Sequence, residues 1–449
     1  MSLPPGPRMP RALQALGWAK RPYPLMQRCR ERYGDLFTLR IAHAGDWVFL
    51  CDPEDVKTVF TAPPGTLGVA LANPLLEPVL GPRSVMLLEE PEHMQRRRLM
   101  LPPFHGKRTG ADAEMMAAVV REEVRRWPAG EPFELWPRMQ AITQEVIVRS
   151  VFGPDDAGHL TRVKKLLHEL TATLNEPRRL SLAAALGPRW LARDRGFRAA
   201  KAPLEAALLE EVDRRRRAGE DGRKDIVSIL IDARYEDGSA MSEADLRDEL
   251  MTLLTDGPTS SSLAWAFERL LRHPEKLARL QEEVRGEDGD GPYLDAVVKE
   301  TLRLCPPVPV VVRRLLKPLA LGGHELPAGT IVAPCVYLIH RDEGIYPHPR
   351  RFEPERFLEQ PPGTYTWIPF GGSTRRCLAA SYAELEMKRV LRTVLGEVDL
   401  RPADSDSEHA RRSAISFSPD KRGRVIAEPR APVPVPEPAA PWEPKPIYS

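Results

Sequence analysis

Long apolar runs, paired cysteines and net charge are all scarce or missing in this sequence of 449 residues. No run of 18 apolar residues occurs, so no transmembrane helix is predicted. The formal net charge of +2 provides no field that would attract nucleic acid. No CxxC pair occurs, which argues against a zinc site or a disulfide framework. The cysteines are Cys29, Cys51, Cys305, Cys335 and Cys377.

The N-terminal segment Met1–Pro7 also lacks an apolar run and therefore predicts neither a signal peptide nor a membrane anchor. Unpaired, scattered cysteines are typical of a reducing compartment. Together these features favour a soluble, cytoplasmic protein. A chain of this length can bury a large core and enclose a cofactor.

Helical periodicity dominates the middle of the chain, from about residue 112 to residue 285. Short strands are predicted on either side of it, within residues 36–50 and 308–336, with a turn at Gly322-Gly323. The predicted fold class is therefore mainly α with small β-sheets. We expect residues 1–427 to form a single domain.

The C-terminal segment 428–449 differs in composition, because a proline recurs every two or three residues. Proline lacks the N–H that regular helices and sheets require, so this segment is predicted to be a flexible, extended tail. A docking site for a partner that recognises polyproline is an alternative.

One cysteine stands out because of its surroundings: Cys377 follows a glycine pair and precedes a helical run from Leu378 to Leu395. A thiol at the start of a helix meets the positive end of the helix dipole, which stabilises the metal-binding thiolate. A single thiolate can serve as the axial ligand of a haem iron. The alternative is a small buried apolar side chain, the commoner role of a lone cysteine.

The segment 369–380 resembles the haem-binding loop of the cytochromes P450, the haem-thiolate monooxygenases. The matching residues are Phe370, Gly371, Arg375 and Cys377. Ser373 and Ala379 stand where the family usually has glycine. The resemblance covers roughly residues 30–425. It implies a cytochrome P450 fold with haem b bound by Cys377, next to Phe370.

A pair of charged residues, Glu300 and Arg303, lies three residues apart on one predicted helical face. An exposed pair of this kind would contribute only about 0.3–0.5 kcal/mol. The neighbouring residues are apolar, however, and Arg356 follows about fifty residues later. The resemblance implies that Glu300, Arg303 and Arg356 form a buried ion-pair network that holds the Cys377 loop.

Haem propionates need cations, and the planar fork of arginine suits a carboxylate. The family's propionate contacts correspond here to His93, Arg97, Arg313 and Arg375. Each could instead be a solvated surface charge, the commoner role of an arginine. Arg96, Arg98 and Arg314 are expected to face outward.

Residues 250–270 predict the long central helix that crosses the haem in this family. Gly257 and Pro258 stand where the family has an acid and a threonine, and Pro258 should interrupt the helix. Asp256 and Thr259 are the nearest groups that could deliver protons to oxygen. Asp256 could equally be a helix cap or a solvated acid.

The resemblance implies a monooxygenase that inserts one atom of O₂ into a small hydrophobic substrate by hydroxylation or epoxidation. Because no flavin or nicotinamide domain is predicted, electrons should come from a partner such as a ferredoxin and its reductase. Arg376, Lys388 and Arg389 could dock an acidic donor. Two alternatives stay open: an enzyme that uses peroxide or rearranges a hydroperoxide, and a haem-binding protein without turnover.

Overall fold

Helices make up most of this protein, whose structure is a computed structural model. It describes residues 3–41, 45–73, 76–104, 109–153, 157–219, 225–255, 258–286, 289–413 and 416–430. The helices are α1 (Arg11–Lys20), α2 (Pro22–Tyr33), α3 (Pro53–Phe60), α4 (Glu77–Leu80), α5 (Glu92–Met100), α6 (Thr109–Val124), α7 (Leu135–Phe152), α8 (Ala157–Leu174), α9 (Pro177–Leu186), α10 (Pro188–Arg193), α11 (Arg195–Ala218), α12 (Ile226–Asp232), α13 (Glu243–Leu254), α14 (Pro258–Leu271), α15 (Pro274–Arg285), α16 (Pro292–Leu304), α17 (Val336–Ile339), α18 (Arg356–Glu359) and α19 (Ala380–Glu397).

Small sheets lie beside this helical body. The strands are β1 (Leu36–Ile41), β2 (Gly45–Leu50), β3 (Leu67–Gly68), β4 (Pro132–Glu134), β5 (Arg313–Leu315), β6 (Leu319–Leu321), β7 (His324–Leu326), β8 (Ile331–Pro334), β9 (Val398–Pro402), β10 (Ala410–Ser413), β11 (Ser416–Pro419) and β12 (Arg424–Pro429). The largest sheet has the order β1-β2-β8-β5-β3 and a smaller one the order β4-β12-β9, while β6-β7 and β10-β11 are antiparallel pairs. The predicted fold class is confirmed.

The strands lie in the two regions where they were predicted. Strands β1 and β2 pair antiparallel, from Leu36 opposite Leu50 to Ile41 opposite Gly45. The predicted turn connects β6 to β7, and its residues Gly322 and Gly323 have φ of 51° and 75°. Glycine suits this hairpin because both turn positions need a positive φ.

Helix α14 lies at the centre of the core. Most of its side chains are buried, including Leu263, Ala266 and Phe267. It packs against α7, α16 and α19. Helix α16, which carries the charged pair, also packs against α19, which follows the cysteine loop.

The predicted central helix is divided as expected at Pro258. Helix α13 begins with a capping box between Ser242 and Asp245 and ends at Leu254, and α14 begins with Pro258. Proline is tolerated in the first turn of a helix because an N–H there needs no helical partner. Residues 256 and 257, which include Asp256, lie outside the described residues.

The predicted start of the tail at residue 428 is wrong by a few residues. Strand β12 continues to Pro429, with Glu428 opposite Asp399 and Pro429 opposite Val398 on β9. The pairing of β12 with β4 extends only as far as Ile426, opposite Pro132, so Pro429 lies beyond it at a strand end, where a missing N–H is tolerated. Residues 431–449 lie outside the described residues.

Candidate active site

The segment before Cys377 is a tight loop that depends on its glycine pair. The N–H of Cys377 donates to the carbonyl of Phe370 at 2.9 Å. Gly371 has φ of 68°. A Cβ at Gly372 would lie 2.3 Å from the ring of Phe60. One glycine therefore provides the turn, and the other allows the close approach of α3.

Ser373 and Ala379, which stand where the family usually has glycine, differ in the backbone strain that they cause. Ser373 has φ of 59°, in the left-handed region that disfavours a side chain. Ala379 has φ of −95°, which any residue adopts readily. The loop therefore closes without glycine at both positions, with backbone strain only at Ser373.

The side chain of Cys377 is accessible, while burial among the atoms packed around it raises the pKa of its thiol. A hydrogen bond from the Ala379 N–H and the charges of Arg376 and Arg97 oppose that rise. The backbone at the start of α19 thus favours the thiolate, as the sequence predicts, but burial outweighs this effect in the protein alone. Coordination to a metal ion would nevertheless deprotonate the thiol.

Three arginines and one histidine lie near this thiol: Arg97 and His93 on α5, Arg313 on β5 and Arg375 in the loop. Burial and then the charge of Arg375 lower the pKa of His93 to about 4 and that of Arg313 to about 10. Burial also lowers the pKa of Arg97, and the nearby Cys377 opposes this effect. The sequence-predicted propionate contacts therefore lie close enough for their charges to interact.

These cations are only partly neutralised by the protein. Among the described residues, neither Arg97 nor Arg313 forms an ion pair. The Nη2 of Arg375 lies 3.6 Å from Glu89, but its buried Nη1 has no hydrogen-bond partner among them. Buried positive charge without a counter-charge is costly, so this cluster suits an anionic ligand. Haem, which carries two carboxylates, fits this requirement.

Glu300, Arg303 and Arg356 meet in one buried network. Glu300 and Arg303 are completely buried, and two guanidinium nitrogens of Arg303 donate to the two carboxylate oxygens at 2.7 and 2.8 Å. The Nε of Arg356 lies 3.3 Å from the same carboxylate, and the Glu353 N–H donates to it at 2.8 Å. Arg303 also donates to the carbonyl of Pro349 at 2.8 Å.

A residue that the sequence analysis missed, His340, connects this network to the cysteine loop. It is fully buried, with Nδ1 3.1 Å from the Arg303 carbonyl. Its Nε2 accepts a hydrogen bond from the Ile368 N–H at 2.9 Å. Burial, followed by the charge of Arg303, lowers the pKa of His340 to about 3, which keeps it neutral. Because both partners of His340 are distant from it in the sequence, no local pattern predicts its role.

Arg96 was expected to face outward, and this expectation is wrong. Its side chain is buried and forms ion pairs of 2.8 Å with both Asp245 and Glu249 on α13. It also donates to the carbonyl of Arg83 at 3.0 Å. A guanidinium can be buried when carboxylates satisfy it. In contrast, Arg98 is exposed and pairs with Glu236.

The remaining sequence-predicted residues are only partly brought together. Thr259 is half-buried in the first turn of α14, directly after the break, whereas Asp256 is not described. Near the cysteine loop, Arg376 is exposed and its guanidinium lies 5.6 Å from the ring centre of Phe370.

The proposed docking face for an electron donor is not uniformly basic. Lys388 forms an ion pair with Asp295 at 3.3 Å, and Arg389 forms one with Asp290 at 2.7 Å. Two of the three basic residues singled out from the sequence are therefore partly neutralised by their own protein.

A cavity of about 470 Å³ lies between α7, α8 and the β10-β11 hairpin. It reaches Leu254 and Ser260, on the two sides of the helix break. We call it the α7–α8 cavity. Its lining residues are Trp136, Pro137, Gln140, Ala141, Thr143, Gln144, Leu167, His168, Thr171, Ala172, Asn175, Pro177, Leu254, Ser260, Arg411, Arg412, Ser418 and Arg422. None of the α7 and α8 residues was predicted from the sequence, since their grouping depends on helix packing.

Comparison with known proteins identifies the family. The family model described as Cytochrome P450 matches residues 3–424, nearly the whole chain. The chain belongs to the cytochrome P450 family. This P450 is therefore an oxidoreductase of the monooxygenase class, and its family binds haem.

Curated relatives of this P450 are found in mycobacteria. "Putative cytochrome P450 135B1" of Mycobacterium bovis is 38% identical over 438 residues, which cover 95% of this chain and 91% of the relative. "Putative cytochrome P450 137" of Mycobacterium tuberculosis is 35% identical over 415 residues, covering 90% of this chain and 85% of the relative.

Solved structures share the fold of this P450. A structure described as retinoic acid bound cyanobacterial CYP120A1 superposes with a TM-score of 0.82 and 22% identity, covering 96% of this chain and all of that one. A cytochrome P450DA heme domain gives 0.81 and 21%, covering 96% and 99%. Within the described part of this P450, no helix has the length and apolar character needed to span a membrane.

Proposed function

We propose that this P450 uses haem b to insert one atom of O₂ into a small hydrophobic substrate, by hydroxylation or epoxidation. The observation that carries the proposal is the joint geometry of the thiol and the cations. Cys377 is accessible and lies near Arg97, Arg313, Arg375 and the neutral His93, and the buried Glu300–Arg303 pair lies close to its loop. These are the two kinds of group that an iron porphyrin with two carboxylates requires.

Cys377 would bind the iron, and His93, Arg97, Arg313 and Arg375 would bind the propionates. The ring of Phe370 lies in the same loop, 6.1 Å from the ring of Trp367 in a T-shaped arrangement. When bound, a thiolate-ligated haem supplies the oxygen chemistry, because the thiolate pushes electron density toward the iron and favours O–O cleavage.

In this reaction, the residues of the chain would hold the Cys377 loop in place and deliver protons at the helix break. The Glu300–Arg303–Arg356 network and His340 fix the loop of Cys377. At the helix break, Thr259 and Asp256 would hold a proton-donating water. A well-placed general acid typically contributes about 10²–10⁴-fold to such a step.

Electrons would come from a separate protein, such as a ferredoxin served by its reductase. The basic residue Arg376 is exposed beside the cysteine loop and is the strongest contact candidate. An acidic donor would associate faster at low ionic strength, because long-range attraction between exposed charges is screened by salt.

A second function is favoured by one specific observation, the interruption of the helix between Leu254 and Pro258. The family's acid and threonine positions carry Gly257 and Pro258 here. An enzyme that uses peroxide, or rearranges a hydroperoxide, depends less on protons delivered by this helix. The two functions make different demands on Asp256 and Thr259.

Turnover of a hydrophobic substrate, supported either by O₂ with a redox partner or by hydrogen peroxide, tests the proposal. For the monooxygenase, Asp256→Asn and Thr259→Ala should slow reductant-driven turnover at least tenfold and divert electrons to hydrogen peroxide. Peroxide-driven turnover should change little. Ser262→Ala is the matched control, since that hydroxyl donates to the Pro258 carbonyl within α14. Product formed with peroxide alone, never with reductant, would contradict the proposal.

A further inference from the structure

The α7–α8 cavity has an unusual charge for this chain. Acidic and basic residues are nearly balanced in the sequence, with 63 Asp and Glu against 65 Lys and Arg. Yet no described residue that lines the cavity is acidic. Three arginines and one histidine line it: Arg411, Arg412, Arg422 and His168. The wall of the cavity therefore carries basic side chains and, among the described residues, no carboxylate.

Two of these arginines, Arg422 and Arg411, differ in the contacts that they make at the cavity wall. The guanidinium of Arg422 lies 5.8 Å from the ring centre of Trp136 and donates to Glu134 at 2.9 Å. Arg411 lies opposite Ser418 in the β10-β11 hairpin, and both residues line the cavity. Within the described part of the chain, Arg411 has no carboxylate partner.

Arg412 directs its guanidinium away from the cavity. It lies 5.2 Å from the ring centre of Trp18 and 5.3 Å from that of Phe417, and its Nη2 donates to the Trp18 carbonyl at 3.3 Å. Neighbouring residues of a strand point to opposite faces, so Arg411 lies on the other face of the hairpin. Arg411 and Arg422 are therefore the arginines available to a ligand in the cavity.

The rest of the cavity wall mixes neutral polar side chains with a group of apolar ones. The apolar group comprises Leu167, Ala141 and Ala172 from α7 and α8, with Leu254 at the end of α13. Leu254 and Ser260 flank the break in the central helix. Ligand pockets have volumes of about 300–1,000 Å³, and this cavity lies within that range.

We propose that the α7–α8 cavity binds an apolar ligand that carries one carboxylate. The carboxylate binds between Arg411 and Arg422, and the apolar chain extends toward Leu254 and the helix break. Taking this ligand as the substrate rests on the proposed function, because the break would then lie beside the reacting oxygen. Binding itself does not depend on turnover.

Isothermal titration calorimetry on the haem-loaded protein tests this assignment, with dodecanoate, methyl dodecanoate and acetate as probes. Dodecanoate should bind about 10- to 100-fold more tightly than its methyl ester, the range expected for hydrogen bonds to a charged group. Acetate should bind far more weakly than dodecanoate. Raising the salt concentration should weaken dodecanoate binding and leave the ester unchanged.

Substitutions of the two arginines test whether the preference for dodecanoate over its ester arises in the cavity. Arg411→Gln combined with Arg422→Gln should remove most of the preference for dodecanoate over its ester. Arg401→Gln is the matched control, because Arg401 is also an exposed arginine paired with one glutamate, Glu428, but it lies outside the cavity. The carbon monoxide spectrum of each variant verifies that the fold and haem site are intact.

Equal affinities for the acid and the ester would overturn the proposal, as would an acid preference that survives the double substitution. Acetate binding as tightly as dodecanoate would show a site for small anions and would also overturn it. Loss of turnover with normal calorimetric binding would contradict the proposed function alone. The two failures can therefore be told apart.

Discussion

Ser373 occupies the one position in the cysteine loop where the sequence and the backbone conflict. Its φ of 59° lies in the left-handed region, where a side chain costs about 1–2 kcal/mol. The family's usual glycine avoids this cost. The structure therefore explains the family pattern at this residue, and equally why Ala379, with its ordinary φ, replaces a glycine without strain.

Ser373→Gly should stabilise the protein by about 0.5–1 kcal/mol. The relief of backbone strain exceeds the extra entropy of glycine in the unfolded chain, which costs about 0.5–1 kcal/mol. Urea unfolding of the haem-loaded protein measures the difference. Thr374→Gly, at the next and equally exposed residue, should destabilise instead. Destabilisation by both substitutions would show that Ser373 is not strained.

His340 acts at the same scale, as a neutral hydrogen-bonding bridge. His340→Ala should cost about 2–5 kcal/mol, because the Ile368 N–H and the Arg303 carbonyl each lose a buried partner. His409→Ala, an exposed histidine, should cost far less. Chemical unfolding at pH 7 gives both values. Similar small losses in the two variants would contradict the bridging role.

The pH dependence of stability follows from the same residue. The folded protein keeps His340 neutral down to a pKa of about 3, whereas an unfolded histidine binds a proton near pH 6.5. The stability contributed by neutral His340 is therefore complete above pH 6.5 and decreases as the pH falls toward 3. In His340→Ala, the free energy of unfolding should fall less steeply between pH 6.5 and pH 4.5.

At the scale of elements, helix α16 and the segments after β8 are joined through buried charges. Glu300 binds both arginines and the Glu353 N–H, so α16 holds α18 and the loop before it. Removing one member of such a network leaves an uncompensated charge. We propose that the network supports the cysteine loop through His340 and Ile368.

Arg303→Ala should cost about 3–5 kcal/mol and reduce haem retention, because Glu300 would be left buried and unpaired by its main partner. Arg351→Ala is the matched control, because Arg351 is largely exposed and its ion pair with Glu353 is a weak one of 3.8 Å. It should change stability by less than about 0.5 kcal/mol. Haem content after purification and urea unfolding measure both effects. A normal haem content in Arg303→Ala would exclude the supporting role.

Local patterns predicted those parts of the site that lie within one segment. The turn before Cys377, the Glu300–Arg303 spacing and the helix break at Pro258 all have causes within a few residues. In contrast, the burial of Arg96 depends on Asp245 and Glu249, about 150 residues away along the chain. His340 and the α7–α8 cavity likewise depend on how distant elements pack, which no single segment indicates.

At the scale of the whole molecule, strand β12 lies between β4 and β9 and so joins the C-terminal region to both strands. The proline pattern alone placed the end of the domain too early, at residue 427. Pairing with Asp399 and Val398 keeps Glu428 and Pro429 in the sheet. Arg430 also donates to the Leu395 carbonyl at 3.0 Å.

Two truncations test where the domain ends. Deletion of 431–449 should leave haem content and unfolding free energy unchanged, since its prolines deny it regular hydrogen bonding. Deletion of 428–449 should cost about 1–3 kcal/mol, because it also removes strand pairing and leaves the Leu395 carbonyl without Arg430. Equal stability of the two truncated proteins would show that residues 428–430 contribute nothing.

The absorption spectrum of the reduced, carbon monoxide-bound protein tests the central claim most directly. With Cys377 as the iron ligand, the protein should show the red-shifted Soret band typical of a thiolate-ligated haem. Cys377→Ala should abolish this band, while Cys305→Ala, which removes a half-buried cysteine outside the loop, should keep it. Persistence of the red-shifted band in Cys377→Ala would contradict the account.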